Sequence, residues 1–315
     1  MKKRVFLGCL LIVILFITSC GYKPAGGEKP LDTIAALKQV QTGTQGVQVK
    51  FVNNYPPTTL YDTTDLTILA EVWNKGAHDL KRGDCFVHLI GYDKNIIRNM
   101  QTFRACNSVG TLEGKKVYNL KGSSNQIEFS SKNIKLPYKV NEYSPNLNLV
   151  ACYDYQTVAN PLVCVENSLY QTSSQQKSCI VKDVRMSGQG APVGVSYVDV
   201  EMAGGKAIFA ITIKNYNSLG RIISPTASLS YCPNNLQYSD FDKVYYTVSL
   251  SGGSLINCKP RDNYVKMNNN EGKIICSFNI GNVQAYETPL MITLDYNYMQ
   301  ALRKPVKIIA TPGYS

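Results

Sequence analysis

The chain has 315 residues, 44% of them hydrophobic and 17% charged, a balance that fits a folded protein and excludes a polar disordered one. Its net charge is +11, three units of it contributed by Lys2, Lys3 and Arg4. The other basic residues are scattered and build no dense Lys/Arg stripe, which excludes nucleic-acid binding of the usual electrostatic kind and leaves anionic headgroups or acidic wall polymers as partners for a modestly basic surface.

Residues 1–21 read MKKRVFLGCLLIVILFITSCG. A basic start precedes an apolar run from Val5 to Ile17, within the 7–15 or so residues of a signal core and short of the roughly 20 needed to span a membrane. The run ends in Ile17-Thr18-Ser19-Cys20, which resembles the lipobox of bacterial and archaeal lipoproteins. That resemblance implies a signal peptide over 1–19 and lipid attachment at Cys20, which holds the mature chain at the membrane. An ordinary secretory leader, or one retained as an anchor, is the alternative. Either way the chain after Cys20 is expected outside the cytoplasm.

The next segment, GYKPAGGEKP, is a Gly/Pro-rich tether, followed by LDTIAALKQV (Leu31 to Val40), which could form one short helix; together they fill 20–45. From Val47 onward the pattern has period two. Runs such as VQVKFV (47–52), LTILAEVW (66–73), NLNLVACYDY (146–155), AIFAITIK (207–214) and LMITLDYNY (290–298) alternate with Gly, Pro, Asn and Asp clusters. The expected class is all-β.

An internal repeat sets the expected layout. LNLVACYDY (147–155) aligns with LMITLDYNY (290–298), pairing Tyr153 with Tyr296 and Tyr155 with Tyr298. A strand followed by Asn74-x-Gly76 in the first copy matches a strand followed by Asn215 and, after a short loop, Gly220 in the second. The spacing predicts two tandem Ig-like antiparallel β-sandwiches, over 46–166 and 179–315, joined by a polar linker at 167–178. The turn Gln189-Gly190-Ala191-Pro192 is expected to set the angle between them.

Ten cysteines include Cys9 in the leader and Cys20. The remaining Cys85, Cys106, Cys152, Cys164, Cys179, Cys232, Cys258 and Cys276 form an even set that reads as disulfides in an exported chain. Cys152 with Cys164, around an Asn160-Pro161 turn, and Cys258 with Cys276, around NNNEG, look like local pairs; Cys85–Cys106 and Cys179–Cys232 follow by elimination. A metal site is not expected: Cys85 and His88 have C-x2-H spacing but would point to opposite faces of a strand. No cofactor is expected.

Catalysis finds little material. The chain holds two histidines, His78 in a turn and His88 in a strand, and both read as structural hydrogen-bonders. Asp240 and Asp242 could share a strand face but read more simply as solvated edge charges. The tyrosine pairs are the candidates for binding: Tyr153/Tyr155 and Tyr296/Tyr298 each share a sheet face and either pack in the core or stack on sugar rings or a protein partner.

Beyond the lipobox, the strand ending Val72-x-Asn74-x-Gly76 after an acidic turn (Asp62, Asp65) resembles the CARDB-type, cell-adhesion-related Ig-like domain, in which the Asn and Gly form the tight turn after a central strand. SGQGAPV (187–193), LEGKKVY (112–118) and CYDYQT (152–157) resemble Cys-bearing exported proteins of small-genome archaea. These resemblances imply a fold and a surface setting, not an activity. The expected role is non-catalytic: a lipid-anchored adhesion, binding or scaffold module for a surface protein or glycan, of unassigned oligomeric state. A carbohydrate-binding module, or an envelope-polymer hydrolase, are the alternatives.

Overall fold

In the computed structural model the described residues are 39–108, 110–167 and 177–312. The leader 1–19, the lipid-attachment residue Cys20, the tether up to residue 38 and the middle of the expected linker lie outside the described residues. Of the helix expected to end at Val40, only Gln39 and Val40 fall among them, and both are helical.

The first copy contributes β1 (Val47–Phe51), β2 (Thr59–Tyr61), β3 (Leu66–Asn74), β4 (Cys85–Ile90), β5 (Ile97–Arg98) and β6 (Phe103–Ala105). It continues with β7 (Ser124–Ser131), β8 (Asn133–Ile134), β9 (Glu142–Tyr143), β10 (Asn146–Ala159) and β11 (Leu162–Val165). The second contributes β12 (Val184–Arg185), β13 (Val193–Ala203), β14 (Lys206–Asn215), β15 (Arg221–Ile223) and β16 (Lys243–Leu250). It closes with β17 (Ser254–Lys259), β18 (Tyr264–Lys266), β19 (Glu271–Asn279), β20 (Tyr286–Pro305) and β21 (Lys307–Ile309). The fold is all-β. Alternation dictates it locally: in β3 every second residue from Leu66 to Asn74 is buried, and β14 and β16 repeat the pattern. Among the described residues no helix is long and apolar enough to cross a membrane.

The two stretches that repeat in sequence are joined in one sheet rather than strung end to end. β10 and β20 pair antiparallel along the full 14 residues of β10, so the largest sheet runs β18-β16-β20-β10-β4-β6 through both copies. The three-stranded sheet β1-β3-β7 and the five-stranded sheet β12-β13-β14-β19-β17 supply the other layer, and their inward residues join the large sheet in one core. The last strand of each copy then pairs with the other. β11 lies along Tyr286–Pro289 of β20, while β21 pairs with β2 and β9. Each copy therefore leaves its own closing strand in its neighbour, and neither copy completes its hydrogen-bond ladder alone.

The turns after β3 and β14 fix this junction. Asn74 is fully buried, its Nδ2 donates to the carbonyls of His78 (2.6 Å) and Leu112 (3.0 Å), and its Oδ1 accepts from the Gly76 N–H (3.3 Å). Asn215 does the corresponding work, donating to Asn270 Oδ1 (3.0 Å) and to the Gly220 carbonyl (3.3 Å). Both oxygens also receive a tyrosine hydroxyl from the shared sheet, Tyr155 at 3.2 Å and Tyr298 at 2.8 Å. The glycines are required by that approach, because a Cβ at Gly76 or Gly220 would overlap those hydroxyls. The Gly190 carbonyl accepts from the Ala77 N–H, and its N–H donates to the Gly43 carbonyl.

Four disulfides form. Cys85–Cys106 and Cys258–Cys276 are the expected pairs. The other assignment is corrected: Cys152 bonds Cys232, and Cys164 bonds Cys179. The reason is geometric. β10 runs straight on to Ala159, and β11 pairs with β20 instead of folding back on β10, so Cys164 never passes beside Cys152. Cys164–Cys179 and the 2.7 Å ion pair Lys177–Glu166 instead clamp the two ends of the expected linker. Four bridges mark a fold built for an oxidising, extracytoplasmic space.

Replacing Asn74 by Ala removes four hydrogen bonds, leaves the His78 carbonyl and the Gly76 N–H without that partner, and should cost about 3 kcal/mol in chemical denaturation, with Asn215→Ala costing a similar amount. Non-reducing peptide mapping should recover the Cys152–Cys232 linked peptide. Removing that bridge closes an 80-residue loop no longer and should cost about 2–5 kcal/mol in the same titration.

Candidate functional site

The tyrosines proposed from the sequence as ligand contacts are core residues. Tyr153, Tyr155, Tyr296 and Tyr298 are all 0% exposed. Spacing of two puts each pair on the inner face, and the β10–β20 register sets Tyr153 opposite Tyr298 and Tyr155 opposite Tyr296. Ring centroids lie 5.5–6.3 Å apart with interplanar angles of 47–80°, the edge-on and tilted geometries that aromatic rings favour. Tyr296 shares a hydrogen bond with Thr157 Oγ1 (2.9 Å). Burial pushes the hydroxyl pKa of all four upward. The reading as ligand contacts is therefore corrected to packing.

The catalytic candidates are separated. His88 is buried beside Phe103, at 5.8 Å between rings, and burial lowers its pKa. His78 stacks edge-on to Tyr155 at 5.4 Å, and burial lowers its pKa against the opposing pull of Asp154 and Asp79. Cys85 is spent on its disulfide, and among the described residues no group of three or more His, Cys, Asp or Glu gathers closely enough to hold a metal ion. Asp240 closes a one-turn 3-10 helix by accepting from the Gln237 N–H (2.8 Å), whereas Asp242 lies 3.8 Å from Arg221.

The outer face of the large sheet is where chemistry remains available. Its middle is covered by the segment 224–242, stapled down by Cys152–Cys232 over Val150 and Ile223. Beyond that cover, β16 and its edge neighbour β18 are partly exposed, with Lys243, Tyr245 and Tyr264 half-buried and Lys266 exposed. Val244, Tyr246 and Val265 point inward, which turns Lys243, Tyr245, Tyr264 and Lys266 outward. Tyr245 and Tyr264 face each other at 5.6 Å and 32°. The Lys243 ammonium lies 5.2 Å from the Tyr264 ring, and that of Lys266 lies 5.5 Å from Tyr238, which is 80% exposed. Next to them Arg221 stacks on Phe241 at 4.0 Å.

This surface can present flat apolar rings beside positive charge, the combination that suits a sugar ring, an aromatic side chain or an acidic chain. Surface clefts lie elsewhere among the described residues, and two of them are polar or basic. One of about 360 Å³ near Gln48, Tyr216 and Gln300 offers amides and hydroxyls without a carboxylate or histidine. The other, of about 640 Å³, carries Lys50, Arg303 and Lys304.

Tyr245 and Tyr246 are adjacent in sequence, and only the first faces outward. Tyr264 sits in a three-residue strand too short to show a period. Tyr238, in a one-turn 3-10 helix, carries no signal of its own.

No family model and no curated protein matches the sequence. Among solved structures the secreted serine protease VesC from Vibrio cholerae is similar at 12% identity and a TM-score of 0.21, over 88% of this chain and 54% of that one. The chain thus spans about half the length of that protein, and a likeness this faint carries neither fold nor activity across.

The tyrosine quartet predicts an alkaline transition. Its hydroxyls resist ionisation when folded, whereas an unfolded tyrosine loses its proton near 10.0. The folded pKa is the higher one, so the stability this contributes is complete below pH 10.0 and is lost as pH rises beyond it. Each coupled tyrosine should remove about 1.4 kcal/mol per pH unit. Denaturant titrations across that range should show the loss, and Tyr155→Phe should reduce the slope by one proton's worth.

Proposed function

We propose that the chain is a lipid-anchored, cell-surface binding module built from two CARDB-type, Ig-like copies, acting on a protein or glycan partner without turnover. One observation carries the reading: the open β16–β18 face, on which Tyr238, Tyr245 and Tyr264 lie beside Lys243 and Lys266 while the other tyrosine pairs are spent on the core. The four disulfides support an extracytoplasmic setting. The lipobox-like Ile17-Thr18-Ser19-Cys20 supports attachment through Cys20. A rigid body at the end of a tether suits presentation of a face to material in the envelope.

A second reading, a carbohydrate-binding module proper, is favoured by the tyrosines themselves, which offer flat rings for a sugar's C–H face.

Surface plasmon resonance of the protein against envelope polysaccharide and envelope protein fractions tests the proposal. Binding should fall about tenfold, near 1.4 kcal/mol, with Tyr264→Ala or Tyr238→Ala, at an unchanged melting temperature. Turnover of an envelope polymer, abolished by changing one acidic residue, would overturn it, as would binding indifferent to both tyrosines. Mass spectrometry of the native N-terminus should find lipid on Cys20.

A further inference from the structure

The β16–β18 register places Lys243 directly opposite Lys266, one step from the Tyr245–Tyr264 pair, and Val244 opposite Val265 points into the core between them. Both side chains therefore leave the sheet on the same outer face as cross-strand neighbours, Lys243 half-buried and Lys266 exposed. Side chains in that relation have Cβ atoms about 4.5–5.5 Å apart, and like charges there destabilise the sheet. Neither lysine forms an ion pair within the described residues. Each lies instead beside a tyrosine ring, at 5.2 and 5.5 Å, which offsets only part of the repulsion. A bare pair of facing cations is a position prepared for an anion.

The surroundings say where the rest of the ligand lies. On the inward side Tyr245 is paired with Asp295, whose carboxylate accepts from Gln156 (2.8 Å). That charge bars a second anion from moving toward β20. The uncharged remainder is left with the faces of Tyr245, Tyr264 and Tyr238. We propose that this face binds an anionic sugar: a pyranose ring stacked on Tyr264, with its carboxylate or sulfate substituent between Lys243 and Lys266. The assignment rests on the binding reading above and names its ligand class.

Calorimetric titration of the full chain in detergent tests it with four probes: trigalacturonate, a sulfated dextran oligomer, maltotriose and sodium sulfate. A carboxylated or sulfated saccharide should bind at least about tenfold more tightly than maltotriose, and the first two probes tell which acid group is preferred. Lys243→Gln and Lys266→Gln should each weaken that binding about five- to tenfold, and raised salt should erase the lysine effect. Because the facing charges are unfavourable when empty, Lys266→Gln should raise the melting temperature of the free protein. The anionic saccharide should raise it more in the wild type than in Lys266→Gln.

Equal binding of maltotriose and trigalacturonate, unaffected by Lys266→Gln but lost with Tyr264→Ala, would overturn the anionic assignment and leave the binding reading standing. Binding of sodium sulfate as tight as that of any saccharide would overturn the sugar, as would lysine-dependent binding of a polyglutamate peptide in place of all four probes. Absence of binding to the probes and to both envelope fractions would remove the binding reading with it.

Discussion

The structure depends on the antiparallel pairing of β10 with β20. That pairing joins equivalent strands of the two copies, so each residue of one copy meets a residue of the other across an approximate twofold relation. On its inner face the consequence is the block of Tyr153, Tyr155, Tyr296 and Tyr298. Three of the four polar tips, those of Tyr155, Tyr296 and Tyr298, are tied by side-chain hydrogen bonds. The turn asparagines supply two of those partners, and the same asparagines hold their own turns closed. Side-chain packing, turn geometry and the junction of the copies are thus one device. Disturbing any part leaves polar atoms stranded at the centre of the molecule.

From this pairing the exchange of closing strands follows. β11 continues the β10 register along Tyr286–Pro289 of β20, and β21 continues the β20 register along β9 while also pairing with β2, so both closing strands cross the junction. Two separate sandwiches on a linker would behave as beads able to reorient. Two copies sharing a sheet and trading strands move as one body, and the Cys152–Cys232 bridge adds a covalent tie between them. The β16–β18 face is consequently held at a fixed angle to the rest of the molecule.

Much of this was legible in the sequence. Period-two runs gave the class, the recurrence of Tyr-x-Tyr marked the two strands that pair at the centre, and NNNEG gave its turn, where Asn269 and Asn270 take positive φ values as the chain passes from β18 to β19 in another sheet. What could not be read was long-range register. A strand pattern shows which residues share a face, not which strand lies beside it. For that reason spacing pairs Cys152 with its neighbour in sequence, although it projects from the outer face toward the covering segment that carries Cys232. The tyrosines posed the same problem: spacing placed them on one face, and only the pairing of β10 with β20 decided that this face was inside. Tyr245 and Tyr246 show the limit, since adjacent residues in a strand take opposite faces and only the sheet's orientation tells which one meets solvent.

The repeat also bears on why the open face differs from its surroundings. Register relates Tyr245, opposite Asp295 on β20, to Phe86, opposite Cys152 on β10. On the same relation Tyr264 corresponds to Ala105, which faces Phe86. The inward pair Val244 and Val265 then corresponds to Cys85 and Cys106, which are joined by a disulfide, and Lys243 corresponds to Asp84, whose carboxylate accepts from the Lys81 N–H at 2.8 Å. Inside the molecule the two copies keep matching chemistry, because both tyrosine pairs and both turn asparagines serve one shared core. At the outer edge they part. The first copy is tied by a covalent bond and a satisfied carboxylate, while the second carries facing lysines and facing rings. Packing constrains a position that both copies need and leaves free a position that neither needs for folding. At such a free position the facing lysines are the charge that the proposed anionic sugar would meet.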